Sequence, residues 1–128
     1  MKAFSELTAR IFLGQIFLIA GIGKIAAYAG TQGYMAAMGV PGDLLPLVIL
    51  LEVGGGLAVM AGWQTQWTSI ALALFTIATA AIFHNDITDQ TQQIMFMKNL
   101  AISGGFLLLA AHGAGAYSMD NRANENAR

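Results

Sequence analysis

The sequence contains no cysteine and few charged residues. Six of its 128 residues are Lys or Arg and seven are Asp or Glu, so that 10% are charged, against about 25% in ordinary soluble domains. Without cysteine the chain cannot form disulfides, a thiolate metal site, a dithiol redox pair or an iron–sulfur cluster. A net charge of −1 argues against nucleic-acid binding. A soluble domain of this size needs more charge to cover its surface, and the 56% of hydrophobic residues excludes disorder. The composition therefore indicates a membrane protein.

Long stretches without charge locate the membrane spans. No Lys or Arg lies between Lys24 and Lys98, and Glu52 is the only charged residue between positions 44 and 84. A spanning helix needs about 20 mainly apolar residues to cross a hydrocarbon core of about 30 Å. The segments that meet this requirement are 7–29, 44–62, 66–83 and 94–113, and none alternates as a barrel strand does. We predict an all-α integral membrane four-helix bundle that forms one domain over residues 1–128.

Polar or glycine-rich connections separate these spans. Residues 30–43 contain several glycines and the Pro41-Gly42 turn signal, so we expect a loop there. The Trp-Gln-Thr-Gln-Trp run at 63–67 predicts a tight turn with its indoles at the headgroup level. Residues 84–93 are polar, and we expect the polar tail at 117–128 to be frayed.

The distribution of basic residues predicts the orientation. Basic residues flank the first span at its start and follow the last span, whereas the connections at 30–43 and 84–93 carry acidic residues only. Basic flanks remain on the cytoplasmic side. Both termini are therefore predicted to be cytoplasmic, which agrees with an even number of spans. The basic residues that flank the first and last spans are Lys2, Arg10, Arg122 and Arg128.

The N-terminus also resembles a secretory signal peptide. Lys2 and Arg10 precede an apolar stretch, and Ala27-Tyr28-Ala29 imitates a cleavage site. The apolar stretch is longer than a normal signal core, however, and Lys24 lies between it and that site. We expect the segment to be retained as the first span.

A few polar side chains lie inside the predicted spans, where ionisable groups are costly and usually find partners in the bundle interior. At a rise of 1.5 Å per residue, Glu52 lies about 12 Å below the outer end of its span, Lys24 about 8 Å and Lys98 about 6 Å. His84 ends the third span, and Asn99 follows Lys98. We predict that these groups converge in the outer half of the bundle.

Two interpretations of this cluster stay open. Glu52 pairs with Lys24 or with Lys98, either as a structural ion pair that sets the helix register or as part of a site open to the outer side. In the second case the surplus donors and positive charge suit an anion or a quinone carbonyl. Small residues on the same faces, Gly55 and Gly56 on the second span and Gly104 and Gly105 on the fourth, allow close helix packing.

Metal and haem sites are not expected. His84 lies at the outer end of the third span and His112 at the inner end of the fourth. Across about 30 Å of hydrocarbon they cannot share one haem iron. The Gly54-Gly55-Gly56 run lacks the strand, Lys and Ser/Thr of a phosphate-binding loop.

Taken in order, several short motifs resemble the DoxX family of small bacterial inner-membrane proteins with four helices. The resemblance covers nearly the whole chain, and the order and spacing of the motifs carry it. They are Arg10-x-x-x-Gly14, Phe17-Leu18-Ile19-Ala20-Gly21-Ile22-Gly23-Lys24, Gly39-Val40-Pro41, Glu52-Val53-Gly54-Gly55-Gly56, Phe83-His84, Lys98-Asn99-Leu100-Ala101, Gly104-Gly105-Phe106-Leu107, and Gly113-Ala114-Gly115-Ala116-Tyr117-Ser118-Met119-Asp120.

The resemblance implies a place in the bacterial inner membrane and three hypotheses for function. One is a membrane subunit that supports a redox or oxidative-stress complex with other membrane or soluble subunits. Another is a component of a quinone-linked oxidoreductase, of the thiosulfate:quinone type, with quinone as cofactor and with Lys24, Glu52, His84 and Lys98 at its site. The third is a small transporter or channel, supported by the intramembrane charges, which four short helices could form only as a homo-oligomer. These assignments transfer by analogy.

Overall fold

The computed structural model describes all 128 residues, and it is helical without strands. The α-helices are α1 (Lys2–Ala26), α2 (Tyr28–Ala37), α3 (Leu45–Ile49), α4 (Gly55–Ala61), α5 (Thr65–Phe83), α6 (Gln90–His112) and α7 (Met119–Asn126). A 3₁₀ turn at Gly42–Leu44 leads into α3, and a π-helical segment at Leu50–Gly54 joins α3 to α4, so that Gly42–Ala61 is one continuous helical segment.

Four helical segments are long and apolar enough to cross a membrane, which confirms the predicted all-α four-span architecture. They are α1, the second span (Gly42–Ala61, containing α3 and α4), α5 and α6. The two termini lie at one end of the bundle, here called the terminal end. The connections after α1 and after α5 lie at the opposite end, called the loop end. Which end faces the cytoplasm stays a prediction.

The predicted loop at 30–43 is wrong over most of its length, because Tyr28–Ala37 forms α2. The backbone bends at Ala27 (φ −115°, ψ 41°), and the helix then continues because its glycines are outnumbered by residues that tolerate or favour helix. α2 ends before Gly39, whose φ of +83° suits a residue without Cβ.

The expectation of a frayed tail is also wrong, because Met119–Asn126 forms α7. The Ser118 hydroxyl caps this helix by accepting a hydrogen bond from the Asn121 N–H at 3.1 Å. At the start of α6 the Asp89 carboxylate likewise caps by accepting from the Thr91 N–H at 3.1 Å, so α6 begins four residues earlier than its apolar run predicts. Polar residues give no hydropathy signal for a helix. The sequence pattern therefore indicates neither α7 nor the first turn of α6.

The four spans pack as two helix pairs, α1 with the second span and α5 with α6. Small residues bring the first pair together: a Cβ at Gly14 would lie 2.6 Å from the Gly56 carbonyl oxygen, and a Cβ at Gly56 would lie 2.8 Å from the Gly14 carbonyl oxygen. Gly55 faces Leu72 of α5, and Gly105 faces Leu13 of α1. The expected packing role is confirmed for these glycines, whereas a Cβ at Gly104 would meet no atom of another helix within 4 Å.

Aromatic and aliphatic side chains at mid-depth join the two pairs. The buried cluster consists of Phe17, Val59, Leu72, Ala73 and Phe106. Phe17 of α1 meets Phe106 of α6 edge to face, with ring centroids 5.5 Å apart. The pairs are therefore in close contact here, and the space that remains between them lies toward the loop end.

Candidate functional site

A partly buried ion pair joins α1 to the second span. The Lys24 Nζ lies 3.0 Å from the Glu52 Oε1 and donates a hydrogen bond to its Oε2 at 3.2 Å. The side chain of Glu52 is 4% exposed and that of Lys24 is 30% exposed. Of the two partners that the sequence left open for Glu52, the structure selects Lys24.

The carboxylate of this pair is presented by the π-helical segment Leu50–Gly54. One extra residue in a helical turn changes the direction of the side chains beyond it, and such segments occur frequently at functional sites. Of the glycines that follow, Gly56 packs against α1 and Gly55 against α5. The irregular turn thus places Glu52 on the inner face of the span, next to the helix that carries Lys24.

A cavity of about 600 Å³ lies between the two helix pairs at the loop end, and Lys24 and Glu52 line it. Its walls come from α1, α2, the second span, α5 and α6. Thirteen of its twenty lining residues are hydrophobic, so the few polar groups stand in apolar surroundings, as in typical small-molecule sites.

His84 and Asn99 line the same cavity from the other helix pair. The His84 Nδ1 lies 3.0 Å from the Gln92 Oε1. The Asn99 Nδ2 donates to the Thr76 carbonyl oxygen at 3.3 Å and to the Thr79 hydroxyl at 3.2 Å. The structure therefore brings four of the five predicted site residues to one cavity.

Lys98 does not join this cluster. It is exposed on the outside of α6, lies outside the cavity wall and forms no ion pair. Adjacent residues of a helix point about 100° apart, so Asn99 faces inward while Lys98 faces away. The prediction that Lys98 converges with Glu52 is therefore wrong, because the two side chains lie on different sides of the helices.

Sequence comparisons identify the relatives of this fold. The family model described as DoxX matches residues 5–85, which is more than half of the chain. The chain belongs to the DoxX family. The match includes Lys24, Glu52 and His84 and ends before α6, so that Asn99 lies outside it.

Two relatives from Escherichia coli (strain K12) cover nearly the whole chain. Inner membrane protein YqjF is 57% identical over 93% of this chain and 92% of its own length. Inner membrane protein YphA is 37% identical over 91% of this chain and 88% of its own length. No solved structure matches. The relatives and the four apolar helices place this DoxX protein in the bacterial inner membrane as a multi-pass protein in contact with lipid.

Several polar residues of the cavity wall are not among the site residues that the sequence predicts. Thr76 and Thr79 stand three residues apart on α5, a helical spacing that would have marked them as sharing a face. Thr31 and Tyr34 come from α2, which lies in the segment where the sequence predicts a loop. The Tyr34 ring stacks on Phe83 with centroids 5.3 Å apart.

Arg10 is the largest fully buried side chain of this DoxX protein, although the sequence placed it at the flank of the first span. It donates hydrogen bonds to the carbonyl oxygens of Met60 (2.8 Å) and Val59 (3.3 Å), and to that of Tyr117. The first two carbonyls lie in the last turn of α4, where unpaired acceptors and the helix dipole favour a cation. The hydrogen bonds of Arg10 thus go to backbone carbonyls rather than to a carboxylate, and its Nε is buried without a partner.

The C-terminal segment closes the terminal end around this arginine. The Asp120 carboxylate accepts from the backbone N–H groups of Gln64 (2.8 Å) and Thr65 (2.9 Å), and the Asp120 N–H donates to the Gly62 carbonyl at 2.9 Å. Asp120 therefore caps α5 from a distant part of the chain. The two buried charged side chains, Arg10 and Glu52, belong to opposite ends of the bundle, and the cavity lined by Glu52 belongs to the loop end.

Proposed function

We propose that this DoxX protein is the membrane subunit of a redox assembly and that it binds a quinone-type lipid in the loop-end cavity. The observation that carries the proposal is the apolar cavity with the Lys24–Glu52 pair in its wall. The transporter hypothesis gains no comparable support and stays a prediction.

The cavity suits such a ligand in size and chemistry. Its volume of about 600 Å³ lies within the range of about 300–1,000 Å³ found for small-molecule sites. Its apolar side chains match a lipophilic ring. An ammonium group has three N–H donors, and the Glu52 carboxylate engages Lys24 at 3.0 and 3.2 Å, which leaves donor capacity for a ligand carbonyl.

The polar residues divide into two roles. Lys24 donates a charge-assisted hydrogen bond to the ligand carbonyl, and Glu52 holds the ammonium in place, which makes Glu52 a positioning residue. His84 and Asn99 supply polar contacts from the opposite wall. The bound quinone supplies the ring that accepts electrons. The chain has no cysteine for a dithiol pair or an iron–sulfur cluster, and a partner subunit supplies the electrons.

The first test is equilibrium binding of decylubiquinone to the purified protein in lipid nanodiscs. A hydrogen bond to a charged group contributes about 1.5–3 kcal/mol. The variant Lys24→Met is therefore expected to weaken binding about tenfold or more. Since it leaves Glu52 buried without a partner, which is strongly destabilising, the neutral double variant K24M/E52Q is measured as well.

Lys98→Met is the matched control, because it removes an intramembrane lysine that lies outside the cavity. It is expected to bind like the wild type. If folded K24M/E52Q binds decylubiquinone as tightly as the wild type, the ion pair has only a structural role, and the proposed hydrogen bond from Lys24 to the ligand is wrong. Absence of any binding by the wild type overturns the quinone part.

The redox assembly itself is tested by purification from native membrane. The expected result is a co-purifying redox subunit together with extracted quinone. Recovery of the wild type free of both, under mild solubilisation that preserves other respiratory assemblies, contradicts the proposed function.

A further inference from the structure

α2 covers the loop end of the cavity. Gln32 donates to the Gly42 carbonyl at 3.2 Å, which ties α2 to the start of the second span. From the same helix the Tyr34 ring reaches α5 and stacks on Phe83, while Met35 is buried beneath it. α2 therefore contacts both helix pairs and lies across the loop end of the cavity.

The aromatic cluster at mid-depth closes the cavity toward the terminal end. Phe17 packs edge to face on Phe106 at 5.5 Å and on Phe75 at 6.4 Å between ring centroids. Both Phe17 and Phe75 line the cavity. A route from the terminal end would have to pass through this packed layer.

α1 and α6 contact each other much less than the helices within each pair do. These two helices meet at Leu13 and Gly105 and at Phe17 and Phe106. No hydrogen bond or ion pair joins them. Beyond these contacts the cavity is lined by Ile16 of α1 and Met95 of α6, which are 44% and 41% exposed. Exposed apolar residues of a spanning helix face the hydrocarbon.

We infer that the cavity opens sideways to the bilayer between α1 and α6, and that its ligand is a lipophilic molecule that arrives dissolved in the membrane. The inference rests on the proposed function in requiring a ligand in this cavity. The polar head of the ligand lies among Lys24, His84 and Asn99, and its apolar tail leaves between Ile16 and Met95. A small water-soluble anion is not the ligand class that this route delivers.

A single cysteine makes the route measurable, because the chain has none of its own. Thr76 lines the cavity and is 3% exposed, and its hydroxyl bonds only to the Leu72 carbonyl of its own helix, at 2.6 Å. In Thr76→Cys proteoliposomes, an alkyl maleimide dissolved in the lipid is expected to label the thiol. A sulfonated maleimide in the water is expected to label it at least tenfold more slowly, which corresponds to about 1.4 kcal/mol in the rate barrier.

Bulky substitutions test the opening. Ala20→Trp in the Thr76→Cys background narrows the cavity wall on α1 and is expected to slow labelling from the lipid about tenfold. Ile19→Trp is the matched control, since Ile19 is 64% exposed on the same helix and lies outside the cavity. Met95→Trp repeats the test from α6 in case Ala20→Trp does not fold.

The loop end of the cavity is tested separately with Tyr34→Ala, which removes the ring that stacks on Phe83. In the Thr76→Cys background this variant is expected to let the sulfonated reagent reach the thiol from the water, while labelling from the lipid continues.

Each result decides the inference without reference to a particular ligand. Rapid labelling of Thr76→Cys by the sulfonated reagent with Tyr34 intact, or unchanged labelling from the lipid in folded tryptophan variants, overturns the lateral opening. If labelling follows the expected pattern while decylubiquinone does not bind, the opening stands and the quinone proposal fails.

Discussion

At the scale of single residues, two cations of α1 are accommodated in different ways. Lys24 meets the Glu52 carboxylate, whereas Arg10 binds backbone carbonyls of α4 and of the C-terminal segment. A carbonyl offers only a partial charge, but the guanidinium presents five donors in a planar fork and reaches several acceptors at once. The arginine therefore ties three parts of the chain together.

Arg10→Lys is expected to destabilise the protein even though it retains the charge. A single ammonium cannot reach Met60 and Tyr117 from the direction that the guanidinium fork uses, and each lost bond to a charged group is worth about 1.5–3 kcal/mol. We expect a loss of about 2–4 kcal/mol, measured as a lower Tm in detergent. The exposed Lys98→Met serves as control, and an Arg10→Lys protein as stable as that control contradicts this role.

At the scale of elements, the close approach of α1 to the second span depends on glycine. The backbones meet at Gly14 and Gly56, where a Cβ on either residue would lie under 3 Å from the facing carbonyl oxygen. Without a hydrophobic driving force between helices in lipid, such close packing supplies much of the association free energy. The same crossing sets the rotation that brings Glu52 to Lys24.

Gly14→Ala and Gly56→Ala are each expected to destabilise the bundle by about 1–3 kcal/mol, the usual effect of overpacking. The readout is thermal unfolding in the same detergent. Gly23→Ala and Gly104→Ala are the controls, because a Cβ at either position meets no atom within 4 Å. They are expected to be neutral or slightly stabilising, since alanine favours helix over glycine. Equal effects of all four substitutions contradict the proposed crossing.

The elements also show what hydropathy reveals and what it misses. The four spans follow from apolar runs, because the cost of a polar residue in hydrocarbon is felt residue by residue. α2 and α7 were not predicted, since a polar or glycine-containing helix held by caps and tertiary contacts has no such pattern. The candidate site shows the same division. Glu52 and Lys24 were found from their depth, whereas Tyr34 depended on a helix that the sequence did not indicate.

At the scale of the whole molecule, the bundle has two chemically different ends. The terminal end carries the hydrogen bonds of Arg10 and Asp120 to backbone groups, and the loop end contains the largely apolar cavity beneath α2. The distribution of basic residues predicts that the terminal end faces the cytoplasm. The proposed ligand site then lies in the outer half of the membrane.

The orientation can be measured with single cysteines at exposed positions. Asn85→Cys at the loop end is expected to react with an impermeant maleimide added to intact spheroplasts, whereas Ala127→Cys near the C-terminus is expected to react only after lysis. Both positions are exposed, and the cysteine-free protein is the background control. The reverse pattern contradicts the predicted topology and moves the cavity to the inner half.

Hydropathy along the chain suffices to predict four membrane spans, and depth within those spans marks four of the polar residues that line the loop-end cavity. Both conclusions depend on the transfer of individual side chains into hydrocarbon, which is local and nearly additive. Only the tertiary structure decided that Glu52 pairs with Lys24 rather than Lys98, that Arg10 is buried, and that a cavity remains between the helix pairs. These features depend on the rotation and separation of helices, which are set by packing between residues far apart in the chain.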